Sequence, residues 1–399
     1  MPSTRGLPRA FWVVLVGMFV NRAGGFVAPF MSLYLTDGRH LSIDRAGAIV
    51  SLTGFGSLAA GPIGGALADR LGRRPTMAVA TGGGALCMLA LGFARTDALI
   101  AGSALVLGCF GEMFRAPAMA IVVDVVAPED RPRAFGLIYW AVNLGFAIAS
   151  MTAGFVAGRS YPALFIGDAI TTLAFGALVV LLVPETRPAH VAATASLRSY
   201  LVPYRHGVFV AFALVSMIVG MLFFQMGSTL PMDMRAHGID APTYGVLLGL
   251  NGVLIGVLQP YASTITQKLP PGRVLAAGAL GAGLGLGLNE VAGGSIALRA
   301  AAVVVFTIGE VTMAGLSHAI VSELAPAHLR GSYQGAFQLA FGMAAALGPV
   351  GGSLLLAHAG PTVLWRTCVF AGIVAMAGYL VVVPRRASGN ARLTIPASG

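Results

Sequence analysis

Four ionisable side chains stand inside long apolar stretches of the 399-residue sequence: Arg22, Glu112, Arg115 and Glu310. Charge at membrane depth is costly, so such residues mark candidate sites for moving ions or solutes. Glu112 and Arg115 are three apart and would share a helix face, where the guanidinium, or that of Arg22, favours the ionised carboxylate. Glu310 has Met313 where the earlier segment has Arg115, so no arginine lies at spacing three or four. It is expected to bind and release a proton near neutral pH. At about 1.5 Å per residue, Glu112 lies roughly 21 Å from either end of its segment, and Glu310 holds the equivalent place in its own. Glu310, Glu112 and Arg115 are therefore the proton-coupling candidates. The opposing reading makes Glu112 and Arg115 a structural bridge and Glu310 a neutral, hydrogen-bonded acid. Arg22, Asn21, Asn143, Gln225, Asn251 and His318 are candidates for a substrate cavity, with Tyr34, Trp140, Gln259 and Gln338 as weaker ones. Asp168 and Asp233 read as outer-interface residues. Two arginines against two glutamates make the cavity formally neutral, favouring neither cations nor anions.

These groups must be positioned by a membrane fold. Hydrophobic residues make up 57% of the chain and charged residues 10%, against about 25% charged in soluble domains. This excludes a water-soluble enzyme and a disordered chain. Twelve apolar segments fall at 10–35, 44–68, 76–94, 98–126, 133–158, 163–183, 207–235, 242–267, 273–292, 295–324, 330–358 and 362–383. Lipid leaves no backbone group unpaired and strand alternation is absent, so an all-α membrane protein of twelve transmembrane helices is expected. The first segment is too long for a signal sequence and reads as a spanning helix.

The net charge of +10 comes from arginine, with Lys268 the only lysine. The arginines sit mostly in short breaks between segments, which points to lipid headgroups rather than nucleic acid. Placing the N-terminus in the cytoplasm puts sixteen basic residues inside and seven outside, the latter including Arg235 and Arg299. Residues 184–206, rich in Pro, Ser, Thr, Ala and Arg, read as a cytoplasmic linker between six-helix bundles at 1–183 and 207–383; 384–399 reads as a disordered cytoplasmic tail. Cys87, Cys109 and Cys368 lack metal-ligand spacing, and no phosphate-binding Gly-Lys loop exists. Gly281, Gly283, Gly285 and Gly287 lie within an apolar segment and read as packing glycines. No cofactor or metal is expected.

A shift of 198 aligns Leu52 and Gly54 with Leu250 and Gly252, Pro62 with Pro260, Gly111-Glu112 with Gly309-Glu310, and Ala127-Pro128 with Ala325-Pro326. The chain reads as an internal duplication, the architecture of transporters that rock about a midplane site. Between segments 2 and 3 stands Gly65-Ala66-Leu67-Ala68-Asp69-Arg70-Leu71-Gly72-Arg73-Arg74-Pro75. Gly65 would let two helices approach and Gly72 would permit a tight turn, while Asp69 could accept from backbone amides and Arg70, Arg73 and Arg74 could pair with acids or lipid.

This stretch resembles the loop signature of the major facilitator superfamily. The resemblance implies two six-helix bundles with segments 1, 4, 7 and 10 around a central cavity. It implies that Asp69 docks near the start of segment 11 and latches an outward-facing state, with Asp124 as partner of Arg70 or Arg73. The equivalent loop, Gln267 to Arg273, has no acid, so the latch would be one-sided. The drug/proton antiporter branch carries Gly-Pro-x-x-Gly-Gly in segment 5. Here that proline is missing from Ser150-Met151-Thr152-Ala153-Gly154, and the full pattern stands in segment 11 at Gly348-Pro349-Val350-Gly351-Gly352. The function expected is proton-coupled efflux of small amphipathic compounds by a monomer in the cell inner membrane, with proton-coupled uptake as the alternative.

Overall fold

The structure is a computed structural model and describes residues 6–186, 201–266, 268–326 and 329–383. Most of the expected linker and the whole expected tail lie outside these residues. The described residues form helices and no strand. Eleven helical stretches are long and apolar enough to cross a membrane: α1 Arg9–Gly38, α2 Ile43–Leu71, α3 Arg73–Phe93, α4 Asp97–Val125, α5 Pro128–Ala157, α6 Tyr161–Leu182, α7 Gly207–Ala236, α8 Ala241–Thr266, α9 Pro271–Ala292, α10 Ile296–Leu324 and α11 Arg330–Val382. As a straight rod α11 would be about 80 Å long, more than twice the hydrocarbon thickness. It is instead two limbs meeting at Gly360, whose φ of 84° suits glycine, followed by Pro361, which has no N–H to offer.

Lipid provides no hydrophobic drive between helices, so close approach of small residues holds them together. The glycines of α9 serve this: Gly281 meets Gly309 of α10, and Gly283 meets Gly372 in the second limb of α11. The same device joins the two parts of the chain. Gly54 of α2 lies against Ala345 of α11, and Gly252 of α8 lies against Ala147 of α5. Each residue of one pair is 198 positions from a residue of the other, so a single contact is made twice.

These seams close one end of the molecule, the end away from the Arg73 loop. Gly47 packs on Ser353, Gly245 on Gly154, and Gly249 on Met151. The Ser51 hydroxyl accepts from the Val350 amide at 2.9 Å. Ser32 donates to the Gly227 carbonyl at 3.1 Å, Tyr244 to the Met226 and Pro29 carbonyls, and Arg235 pairs with Asp37 at 2.7 Å. Toward the arginine-rich end the stripes part. Gly61 and Gly65 continue the face of Gly54, Gly335 and Gly331 that of Gly342, Gly136 that of Ala147, and Gly256 that of Gly252; a Cβ on any of these six would meet nothing within 4 Å. The close approach expected at Gly65 is thus not made in this conformation.

Arg299, counted among the outer basic residues, is 1% exposed. It donates to Asp233 at 2.7 Å, Asn289 at 2.9 Å and the Gly293 carbonyl at 2.9 Å, and His237 lies against the same pair. Asp233 is likewise enclosed by protein. Apolar side chains cannot satisfy a guanidinium at that corner, so the acid and the base are buried together.

Candidate transport cavity

Four helices, α1, α4, α7 and α10, are interrupted partway along. The helical run stops at Ala23 and resumes at Val27 in α1, stops at Met113 and resumes at Arg115 in α4, and stops at Gln225 and resumes at Thr229 in α7. In α10 it stops at Met313 and resumes at Leu316. In three of the four, the third residue of the resumed helix is proline: Pro29, Pro117 and Pro231. Proline is tolerated there because the first amides of a helix lack intrahelical partners. In α10 the break rests on Gly315, with φ of 76°. Glu112 and Glu310 each sit shortly before their break.

Glu310 is bonded within the protein. Asn251 of α8, 5% exposed, donates Nδ2 to Glu310 Oε2 at 2.9 Å and to Thr307 Oγ1 at 2.9 Å. Tyr139 of α5 lies within electrostatic reach of Glu310, and its hydroxyl approaches Gln259 Oε1 of α8 at 3.4 Å, crossing between the two seam helices. Asn143 donates to the Tyr139 carbonyl at 2.8 Å, one turn along the same helix.

The facing group differs. Arg115 donates to Glu112 Oε2 at 2.8 Å, with both side chains open to the space between helices. Arg22 of α1 places Cζ over the Phe146 ring, 4.9 Å from its centroid, with Glu112, Arg115 and Asp168 as charged neighbours. Asp168 is buried, and its Oδ2 accepts from the Val27 amide at 3.0 Å, capping the resumed part of α1. Asn21 joins this support by donating to Thr172 at 2.9 Å.

Two cavity candidates stand elsewhere. Gln225 is 5% exposed and spans the α7 break: Nε2 donates to the Gly348 and Met221 carbonyls, and Oε1 accepts from Thr229. The Gly-Pro-x-x-Gly-Gly stretch of α11 thus receives a side chain from α7. His318 lies beyond the α10 break, exposed, with Nδ1 2.9 Å from Gln334 of α11. At about 1.5 Å per residue it is some 12 Å along the helix from Glu310.

At the arginine-rich end, Gly72 takes φ of 105° between α2 and α3. Arg73, 7% exposed, gathers three groups: Nη1 donates to Asp69 at 3.0 Å and to the Ala68 carbonyl at 2.9 Å, and Nε faces Asp124 at 3.5 Å. Asp69 is bonded to Arg73 and to no group of α11. Arg74 donates to the Val180 carbonyl, and Arg70 is exposed. Glu185, which the sequence reading passed over, accepts from the amides of Arg73 and Arg74 at 2.8 and 3.0 Å and caps α3. Thr186 links this cap to Asp124 at 2.9 Å.

The family model described as Major Facilitator Superfamily matches residues 13–232 and again 208–396. The chain belongs to the major facilitator superfamily. It is an integral membrane transporter and not an enzyme. The facilitator chain is 24% identical to a Na(+), Li(+), K(+)/H(+) antiporter of Planococcus maritimus over 86% of its length and 88% of that protein. It is also 24% identical to the multidrug resistance protein MdtH of Salmonella typhimurium, over 91% and 89%. Its fold is similar to that of a crystallised POT family transporter in complex with 5-aminolevulinic acid, with a TM-score of 0.79, 16% identity, and 95% and 96% of the two chains covered.

Proposed function

We propose that this facilitator exports small amphipathic compounds in exchange for protons, working as a monomer in the cell inner membrane. The observation that carries the reading is Glu310: a carboxylic acid beside a broken helix, bonded to one asparagine, with no ion pair among the described residues and beside the seam between the two repeats. Counting the limbs of α11 separately gives twelve crossings, in halves at 1–183 and 207–383. The preponderance of arginine assigns the Arg73 end, and with it both termini, to the cytoplasm.

The conformation is then open inward and closed outward. Glu310 releases its proton toward cytoplasmic water and a substrate enters between the halves, while Glu112 stays paired with Arg115. The inner stripes at Gly61, Gly65, Gly136, Gly256, Gly331 and Gly335 close, Asp69 docks on α11, and the Asp37–Arg235 pair parts. A proton from outside then returns to Glu310. Each charge moving down the potential supplies about 2.3 kcal/mol per 100 mV. The relatives named for multidrug resistance and for cation/proton antiport support exchange over uptake.

The test is a pH-sensitive dye inside acid-loaded proteoliposomes. Adding an amphipathic substrate outside should draw protons out, and Glu310→Gln should reduce that flux to the protein-free background. Co-movement of protons with the solute would make the protein a symporter. Unaltered flux in Glu310→Gln would remove Glu310 from the coupling step.

A further inference from the structure

Pairing among the charged side chains of the cavity is unequal. Arg115 is bonded to Glu112, Glu310 accepts from Asn251, and Asp168 accepts from the Val27 amide and, at 3.5 Å, from Thr172. Arg22 differs: it is exposed, its guanidinium makes no hydrogen bond and no ion pair among the described residues, and its Cζ stands over the Phe146 ring. The nearby acids, Glu112 and Asp168, are engaged by other donors. A guanidinium keeps its proton and presents five N–H donors. Arg22 stands about 20 Å along α1, near the middle of the membrane, where unmatched donors are costly. Nor is it at headgroup depth, so a lipid phosphate is not its partner.

We infer that the transported compound carries a carboxylate, which the Arg22 guanidinium binds as a two-point pair, with the apolar body of the compound against Phe146. The planar fork of donors matches a carboxylate, and the aromatic ring beneath suits a compound with an apolar part. This names the substrate class for the transport reading above and rests on it, and it replaces the expectation that the cavity is indifferent to charge. Export of an anion against entry of a proton carries two positive charges inward per cycle, so the membrane potential acts on both movements.

The experiment is equilibrium dialysis of the full-length protein in detergent with two probes of one ring system, 1-naphthoate and 1-naphthylmethylammonium. No proton gradient is present, so the result is independent of whether Glu310 couples transport. Naphthoate should bind saturably, and Arg22→Gln should weaken it about tenfold to a hundredfold, with Arg22→Lys between the two and ammonium binding not weakened. Gel filtration and thermal unfolding establish that the variants are folded. If Arg22→Gln does not fold, Arg22→Lys carries the test, since it keeps the charge and loses the two-point geometry. Equal naphthoate binding by wild type and a folded variant, preference of the wild type for the ammonium, or no saturable naphthoate binding below about 1 mM would each overturn the inference. Arg22-dependent binding without proton movement in the liposome assay would leave the inference standing and remove the proton coupling.

Discussion

The two halves keep one backbone device and fill it with different chemistry. Glu112 and Glu310 lie 198 positions apart, each shortly before an interruption of its helix. The interruption itself rests on Pro117 in one half and on Gly315, again 198 positions away, in the other. One half then supplies an arginine three residues on, and Glu112 is held in an ion pair. The other supplies Met313, and among the described residues its glutamate accepts from Asn251 and makes no ion pair. A second corner differs in the opposite sense: Asp233 and Arg299 form a buried ion pair where the first half has Leu35 and Ala101. Duplication thus conserves where the chain can bend, while single side chains decide what each glutamate is paired with.

The most severe way to break the comparison is Met313→Arg. It gives Glu310 the partner that Glu112 has, and should strip transport of its pH dependence and abolish proton-driven flux in the liposome assay while the protein remains folded. A full pH profile in that variant would mean that the missing arginine is not what separates the halves. Arg299→Leu should come next, since it leaves Asp233 buried and uncompensated, at a cost of about 3–5 kcal/mol. Replacing both members by the residues of the first half, Asp233→Leu with Arg299→Ala, should recover much of that loss in a thermal unfolding experiment. The smallest effect concerns the starts of α2 and α8. Asp240 caps α8 by accepting from the Thr243 amide at 3.0 Å, whereas the equivalent Ser42 makes no such bond. The Thr243 hydroxyl and amide hold the Asp240 carboxyl below the usual carboxylate range. Its stabilisation is therefore present above pH about 4 and is lost as pH falls through the depressed value. Asp240→Ala should lower Tm by about 1–2 °C at neutral pH, Ser42→Ala should not, and the difference should vanish in acid.

The helical class, the positions of the crossings and the loop at Gly72 could be read from the sequence because apolar length and turn chemistry are local. The neighbourhood of Glu112 and Arg115 was legible for the same reason, being set by a spacing of three. Partners chosen across the bundle were not. Nothing near Glu185 says that its carboxylate reaches back to the amides of Arg73 and Arg74, and nothing near Gln225 says that it turns to α11 instead of the cavity. Asp168 was placed by its distance from the end of a segment, yet its role is fixed by a break in a different helix. One signal was available and unused: Pro29, Pro117 and Pro231 mark the interruptions of three cavity helices, and only the glycine-based fourth lacks such a mark.

The Asp37–Arg235 pair ties the tips of α1 and α7 at the closed end while remaining partly exposed. Ions on that face can screen it, over a Debye length of about 8 Å at physiological ionic strength, whereas the buried Asp233–Arg299 pair a few residues away is shielded from them. Added salt therefore weakens the exposed pair at the closed end and leaves the buried pair beside it almost untouched.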